Sequence, residues 1–336
     1  MMTFGKLAAL ACAGGLVTAP VSAETLIVAH GFQPAHVNFT DGIVPWMTCV
    51  TEATKGELEF EHFPSGQISG HRDSISSLQS GVAQVSGVVP GYETSKMPLN
   101  NMAALPGMGV TAVELNANYR AMLANGSALQ KEWEELGVRP FLVISTPAYQ
   151  LMTTGAPLDT IEKMSGVKIR VSAGPQSLAM QQLGGIPVEI GTPDMYVAMQ
   201  RGTVEGTVLS LTSSVAYNLD ELIKSSSTNG ALASGQTVYS IAEKTFQGLT
   251  ETQQTAVVDC GLKTSEAIAE RLDTLQQEVI ADYAAQGIVM YDFPPEVLAQ
   301  IDSRLAAVAE AFIVDLEGRG LPAREAYTQY RAMIDN

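Results

Sequence analysis

The segment Gly166-Val167-Lys168-Ile169-Arg170-Val171-Ser172 sets apolar and polar side chains in strict alternation. The apolar side chains fall on one face of an extended chain, while Lys168 and Arg170 fall on the other. Alternation with a period of two residues predicts a β-strand with one apolar face. If the strand lies in a sheet that is covered on both faces, Arg170 is removed from bulk water and needs a partner.

A helix and a second strand are predicted after this segment. Thr192 suits a helix cap and Pro193 suits a first turn, and residues 203–209 then have the composition of a strand. The same order occurs upstream, with a helix over residues 73–80 and a strand over residues 82–89. Two interpretations remain open: a chance recurrence in an α/β protein, or two similar α/β lobes, each with its own sheet.

The sequence also predicts passages between such lobes. A first passage is expected near residues 145–148, after a buried strand, and a second near residues 235–237, where a strand pattern begins again. From Thr250 to about Gln286 the helical pattern is almost unbroken, which suggests a long helix shared between the lobes. Lobes joined in this way form a hinge, and ligands bind in the cleft between them.

The N-terminus has the features of a secretory signal peptide. Lys6 precedes an apolar stretch, and the small residues Val21-Ser22-Ala23 lie before Glu24, so residues 1–23 are expected to be removed on export. Cys12 leaves lipidation open as an alternative. The rest of the chain contains no apolar run of the length that a membrane span requires.

The composition limits the classes of ligand. A formal charge of −16 over 336 residues repels nucleic acid and anionic membrane surfaces. An anionic substrate would be repelled as well, so its binding requires a local cation. Beyond the signal peptide only Cys49 and Cys260 remain; we expect two buried thiols, with one disulfide as the alternative.

Catalytic and metal motifs are not found. Ser165 and Lys168 fit S-x-x-K, but the companion motifs of that chemistry are missing. The four histidines, at positions 30, 36, 62 and 71, lack the spacing of a strong metal site. We therefore expect no enzyme activity, no metal and no cofactor.

Arg170 is the residue with the clearest chemistry. One interpretation is a surface arginine at a strand end; the other is a buried guanidinium that meets an internal acid or a ligand anion. Its planar fork suits a carboxylate bidentately, which points to an organic acid. Loop positions at strand or helix ends add candidates that would face a cleft, and aromatic ones would enclose the ligand: Phe32, Gln33, His71, Arg72, Tyr92 and Tyr149.

Several short motifs together resemble a known family. They are GVKIR at 166–170, PDMYVAMQRG at 193–202, VEG at 204–206, FPSGQ at 63–67, LQSGVA at 78–83 and FQGLT at 246–250. Their order and spacing are similar to those of the DctP-like solute-binding proteins of tripartite ATP-independent periplasmic (TRAP) transporters. The resemblance covers nearly all of the chain after residue 23.

The resemblance implies a type II-like, two-lobed periplasmic binding protein fold. Each lobe would be a mostly parallel sheet flanked by helices, with a long helix shared between them. One lobe would comprise residues 24–147 with about 235–275, and the other residues 148–234 with about 276–336.

The resemblance also implies a ligand and partners. Arg170 occupies the position of the arginine that pairs with the ligand carboxylate, whereas Gln150 stands where many dicarboxylate-binding and sialic-acid-binding members have a second arginine. Leu209, with Ser210 beside it, stands where those members have asparagine. These departures favour a monocarboxylate such as a keto or aromatic acid, unless Lys168 reaches the pocket.

The implied protein is a periplasmic monomer that delivers the acid to a small and a large integral-membrane subunit. Two alternatives stay open: a ligand-binding accessory of a signalling receptor, and a periplasmic lyase or hydrolase that acts on an organic acid.

Overall fold

Two β-sheets organise the protein in the computed structural model, which describes residues 23–124, 126–172 and 174–334. The predicted signal peptide, apart from Ala23, lies outside the described residues. In chain order the strands are β1 (Glu24–Ala29), β2 (Leu58–Phe63), β3 (Val85–Val88), β4 (Val138–Ser145), β5 (Gln150–Thr153), β6 (Lys168–Val171), β7 (Ile186–Glu189), β8 (Gly206–Leu209), β9 (Ser225–Ser227), β10 (Gln236–Ala242) and β11 (Val289–Tyr291).

Helices cover the faces of both sheets. They are α1 (Val44–Ala53), α2 (Ser74–Ser80), α3 (Ala112–Met122), α4 (Ala128–Glu135), α5 (Ile161–Met164), α6 (Pro175–Gln182), α7 (Thr192–Gln200), α8 (Leu211–Ser214), α9 (Glu243–Gly248), α10 (Glu251–Ala285), α11 (Pro295–Gly318) and α12 (Ala323–Ile334). Among these described helices, none is long and apolar enough to cross a lipid bilayer.

Each sheet is mostly parallel and contains one antiparallel strand. The first sheet has the order β2-β1-β3-β10-β4, and only β10 runs against its neighbours. The second has the order β11-β9-β5-β8-β6-β7, and only β5 does so. We call the part built on the first sheet the first lobe and the part built on the second sheet the second lobe. The predicted two-lobed α/β fold is confirmed.

The antiparallel strands are those that the chain enters from the other lobe. It passes from β4 to β5 through residues 146–149 and returns from β9 to β10 through residues 228–235. The two passages bond to each other, since Tyr149 N donates to Ala233 O (2.8 Å) and Leu232 N donates to Tyr149 O (3.1 Å). They therefore form a paired hinge between the lobes.

Helix α10 belongs to both lobes, as predicted. Thr250 caps its start through a reciprocal pair of hydrogen bonds with Gln253, which satisfies N–H groups that the first turn leaves free. The helix packs against α1, α3 and β4 of the first lobe and, toward its end, against α8 and β11 of the second. In that second part Tyr283 shares a hydrogen bond of 2.7 Å with Ser214.

The prediction of two free thiols is wrong. Cys49 of α1 and Cys260 of α10 form a disulfide, with their Cα atoms 5.8 Å apart. A separation of 211 residues gives no local signal of this proximity, which arises only when α1 packs on α10. The disulfide fixes the first half of the shared helix to the first lobe.

Candidate ligand-binding site

A small cavity of about 50 Å³ lies between the lobes, next to the paired passages. Residues of both lobes line it, and six of the side chains are aromatic or imidazole rings. The first lobe contributes Phe32, His36, Asn38, His71, Val89 and Tyr92, together with Gln236 and Thr237 of β10. The second lobe contributes Ser172, Thr192, Leu209, Ser213 and Tyr217, and the two passages contribute Thr146, Tyr149 and Gly235.

Arg170 lies beside this cavity with a side chain that is 0% exposed. Its strand, β6, is paired on both sides, with β7 and with β8, so the guanidinium has no route to the surface at a sheet edge. The interpretation of Arg170 as a surface residue is therefore wrong. Burial follows from the central position of β6, which the alternation of its sequence does not reveal.

The guanidinium is incompletely satisfied. Its Nε donates to Ile190 O (2.8 Å), and its Nη2 donates to the Tyr92 phenol oxygen (3.1 Å) and to Thr192 Oγ1 (3.3 Å). Within the part of the chain that the structure describes, Nη1 has no hydrogen-bond partner, and no carboxylate forms an ion pair with Arg170. A buried cation without a counterion is costly, and a bound anion removes that cost.

Tyr92 brings a phenol from the first lobe to this arginine. Its oxygen also accepts from Thr192 N (3.2 Å) and shares a hydrogen bond of 2.5 Å with Thr192 Oγ1. Burial acts most strongly on the pKa of Tyr92 and raises it, but the charge of Arg170 and the hydrogen bonds of Thr192 and Ser172 together outweigh it. The net pKa therefore lies below the ordinary value, because the cation and the hydrogen bonds favour the charged form more than burial disfavours it.

His71 and Phe32 form an aromatic wall around Tyr92. The ring of His71 stacks on Tyr92 at 5.3 Å and meets the edge of Phe32 at 4.5 Å. Gly31 permits this, because a Cβ there would lie 2.7 Å from the His71 ring. Burial, followed by the charge of Arg170, lowers the pKa of His71 to about 4, so it is neutral at pH 7. Its Nδ1 is a further buried atom without a hydrogen-bond partner in the described chain.

Two other predicted residues also line the cavity, namely Tyr149 and Leu209. Arg72 does not line it, but its guanidinium lies 5.3 Å over the Tyr92 ring from outside. Lys168 is exposed at the start of β6 and does not line the cavity.

Three further predicted residues, beside Arg72 and Lys168, lie outside the cavity lining. Gln33 is exposed, because the loop after β1 turns it outward. Gln150 is buried, but its Oε1 accepts from Ser227 Oγ and Gly230 N, both at 2.8 Å, outside the cavity lining. Ser210 caps α8 through Ser213 N. Gln33 is therefore open to solvent, while the polar groups of Gln150 and Ser210 are occupied by hydrogen bonds within the second lobe and the return passage.

His36, Asn38 and Tyr217 also line the cavity, but the sequence does not predict them, because they carry no motif and reach the cavity only through tertiary packing. The prediction that Thr192 caps a helix is wrong: Gly191 is the N-cap residue of α7, and the Thr192 hydroxyl contacts Tyr92 instead. The position of Thr192 just after β7, the strand that pairs with the strand of Arg170, is a feature of the sequence that could have indicated this contact.

No group of three or more His, Cys, Asp or Glu residues that could hold a metal occurs in the described ranges. The closest approach of two histidines pairs His30 Nε2 with His62 Nε2 at 2.9 Å. His30 Nδ1 accepts from Phe32 N (3.1 Å), which places the ring proton on Nε2. This pair is therefore explained as a hydrogen bond.

Comparisons with known proteins agree with this architecture. The family model for bacterial extracellular solute-binding protein family 7, DctP, matches residues 28–315. An uncharacterized protein of Salmonella typhimurium, YiiZ, is 26% identical over 161 residues, which cover 47% of this chain and only about half, 48%, of YiiZ.

Solved structures show the same fold. A TRAP solute-binding protein from Rhodoferax ferrireducens T118, in complex with copurified benzoate, aligns with a TM-score of 0.85 and 21% identity over 93% of this chain and 98% of that chain. A marine metagenome TRAP solute-binding protein specific for aromatic acid ligands, in complex with 3-hydroxybenzoate, aligns with a TM-score of 0.87 and 17% identity over 93% and 98%.

Proposed function

The chain belongs to bacterial extracellular solute-binding protein family 7, and from that premise we propose that it captures a small monocarboxylic acid for a TRAP transporter. Residues 1–23 would direct its export to the periplasm, where it acts as a monomer and delivers the acid to a small and a large membrane subunit. Its role is binding and not catalysis. The lobes comprise residues 24–147 with about 235–275, and residues 148–234 with about 276–336.

One observation carries the proposal: Arg170 is fully buried beside the interlobe cavity, without a counterion and with Nη1 unbonded, as far as the described residues extend. A carboxylate would supply the missing charge and accept from both terminal nitrogens. In a site from which water is excluded, such a pair is stronger than at the surface.

The cavity lining supports a monocarboxylate with an aromatic or otherwise apolar body. Its rings offer stacking surfaces, and Leu209 adds an apolar wall. Arg170, beside the lining, is the cation that the first carboxylate would use, and the lining residues themselves include no lysine or arginine, so a second carboxylate would lose water without gaining a cation of its own. Benzoate and 3-hydroxybenzoate in the two similar structures are in keeping with this ligand class.

The size of the cavity supports binding by a hinge motion. About 50 Å³ holds one or two water molecules, whereas an aromatic acid needs several times that volume. The lobes would separate at the paired passages to admit the acid and close over it. The radius of gyration measured by small-angle scattering should then change when a binding acid saturates the protein.

Calorimetry against a panel of keto, hydroxy and aromatic monocarboxylates tests the proposal, guided by mass spectrometry of acids that copurify. Arg170→Met should weaken the best acid by at least about thirtyfold, the scale for removing one partner of a buried charge pair. Arg120→Met is the matched control, since Arg120 pairs with Glu266 at the surface and should leave affinity unchanged. Affinity of Arg170→Met within about threefold of wild type would refute the anchor. Submicromolar binding of succinate or malate would refute the monocarboxylate class alone.

A further inference from the structure

The Tyr92 phenol oxygen bridges the two lobes at the same atoms that a carboxylate would use. Tyr92 ends a short turn after β3 of the first lobe, whereas Arg170 and Thr192 belong to β6 and α7 of the second. The oxygen lies 3.1 Å from Arg170 Nη2, 3.2 Å from Thr192 N and 2.5 Å from Thr192 Oγ1. A guanidinium nitrogen, a hydroxyl and a backbone N–H in the first turn of a helix are all typical partners of a carboxylate oxygen.

The arginine fork is only half used by this contact. Nη2 is bonded to Tyr92 and Thr192, while the neighbouring Nη1 is buried without a partner in the described chain. A bidentate carboxylate places one oxygen on each terminal nitrogen. The phenol oxygen thus takes the position of one of the two carboxylate oxygens. The lowered pKa of Tyr92 agrees with an oxygen that is held by a cation and by several hydrogen bonds.

We infer that the phenol oxygen of Tyr92 is an internal substitute for one oxygen of the ligand carboxylate, so that Tyr92 and the acid compete for Arg170 and Thr192. The inference rests on the proposed function and adds a regulatory residue to that site. It makes the contact a latch, which holds the lobes together until an acid replaces the phenol. The apparent affinity for the acid is then reduced by the fraction of molecules that are latched.

The surroundings of Tyr92 allow such an exchange. Its ring is held by the first lobe, through the stack with His71 and the guanidinium of Arg72 above the ring. Separation of the lobes therefore withdraws the phenol from Arg170 together with its ring, without a change in its own packing. The donors on the second lobe are then free for the carboxylate.

Tyr92→Phe tests the latch, because it keeps the ring and its stack and removes only the oxygen. We expect benzoate, used as the probe in calorimetry, to bind at least about tenfold more tightly, because the hydrogen bond from the charged Arg170 alone is worth that much and the two bonds with Thr192 are lost with it. We also expect a larger radius of gyration in the variant before benzoate is added. Tyr119→Phe is the matched control: it removes a buried phenol oxygen that donates to Asn100 Oδ1 outside the cavity lining, and neither quantity should change.

The outcomes separate the latch from the proposed function. Benzoate affinity that falls or stays the same in Tyr92→Phe overturns the latch, since the phenol would then contact the ligand or play no part. An unchanged radius of gyration in Tyr92→Phe overturns the latch as well. If neither the wild-type protein nor the variant binds any acid of the panel, the proposed function fails.

Discussion

Gln150 of β5 and Leu209 of β8 are direct partners across the second sheet, yet only Leu209 lines the cavity. The amide oxygen of Gln150 accepts from Ser227 Oγ at the end of β9 and from Gly230 N in the return passage, and its Nε2 donates to Ala148 O (3.2 Å) in the first passage. Gln150 therefore joins the two passages of the hinge, while Leu209 gives the cavity an apolar wall.

Gln150→Ala should destabilise the protein without abolishing acid binding. Loss of the amide leaves Gly230 N and Ser227 Oγ without this acceptor, which costs about 1–3 kcal/mol. Urea unfolding measures this cost, and calorimetry should find affinity within a few fold of wild type. Gln247→Ala, at an exposed glutamine, is the control and should change neither quantity. A large loss of affinity at unchanged stability would instead place Gln150 in contact with the ligand.

Arg170→Met should leave the free protein at least as stable as wild type. The guanidinium is buried without a counterion among the described residues, and burying an unpaired ion costs several kcal/mol, a cost that an apolar side chain of similar length removes. Thermal unfolding without added acid measures this directly. A loss of more than about 2 kcal/mol would mean that the hydrogen bonds to Ile190, Tyr92 and Thr192 outweigh the cost of burial.

Gly235→Ala should disturb the hinge and weaken binding. A Cβ at this position would overlap the Tyr149 phenol oxygen and lie 2.8 Å from the carbon that carries it, so the ring must move within the cavity lining. Overpacking of this kind costs about 1–3 kcal/mol. Gly248→Ala is the control, because a Cβ there meets nothing within 4 Å. Tyr149→Phe in the same chain should restore part of the loss, and the absence of any rescue would contradict the steric explanation.

Reduction of the Cys49–Cys260 disulfide should lower stability and leave acid affinity almost unchanged. The bond closes a loop of more than 200 residues, and the loss of such a crosslink costs about 2–5 kcal/mol. It joins α1 to α10 in the first lobe, outside the cavity lining. Thermal unfolding with and without dithiothreitol measures the change, and the double variant Cys49→Ser, Cys260→Ser should no longer respond to the reductant.

The sequence predicts the elements better than it predicts side-chain directions. Alternation identified β6, and unbroken helical periodicity from Thr250 identified α10, because both signals are local. The directions of the Gln33 and Gln150 side chains are not predictable from the sequence, since a loop turn determines the first, and the distant Ser227 hydroxyl and Gly230 N–H determine the second. The disulfide depends on the packing of two helices far apart in the chain. A motif in the sequence identifies Arg170. That no carboxylate of the described residues pairs with it can be seen only from the three-dimensional positions of those carboxylates.

Three buried histidines should make stability fall as the pH drops below about 6.5. Burial, with smaller contributions from neighbouring histidines, lowers the pKa of His30 and of His36 to about 3, and burial with the charge of Arg170 lowers that of His71 to about 4. In the unfolded chain these histidines are protonated near pH 6.5, whereas in the folded chain they stay neutral down to pH 3–4. The free energy of unfolding therefore decreases as the pH falls from about 6.5 toward 3–4. Each histidine contributes a loss of about 2 kcal/mol between pH 7 and pH 5.

The substitution His36→Asn assigns part of this pH dependence to one residue. Asparagine places an amide oxygen near the position of Nδ1, which accepts from Asn38 N (3.1 Å), and it does not titrate. The slope of unfolding free energy against pH between 7 and 5 should therefore become smaller, as measured by urea unfolding at several pH values. His62→Gln is the comparison, because His62 is only half-buried and its pKa is lowered by burial alone; it should reduce the slope less. If His36→Asn keeps the full wild-type slope, His36 is protonated in the folded protein to the same extent as in the unfolded chain, and the buried neutral ring is the wrong description.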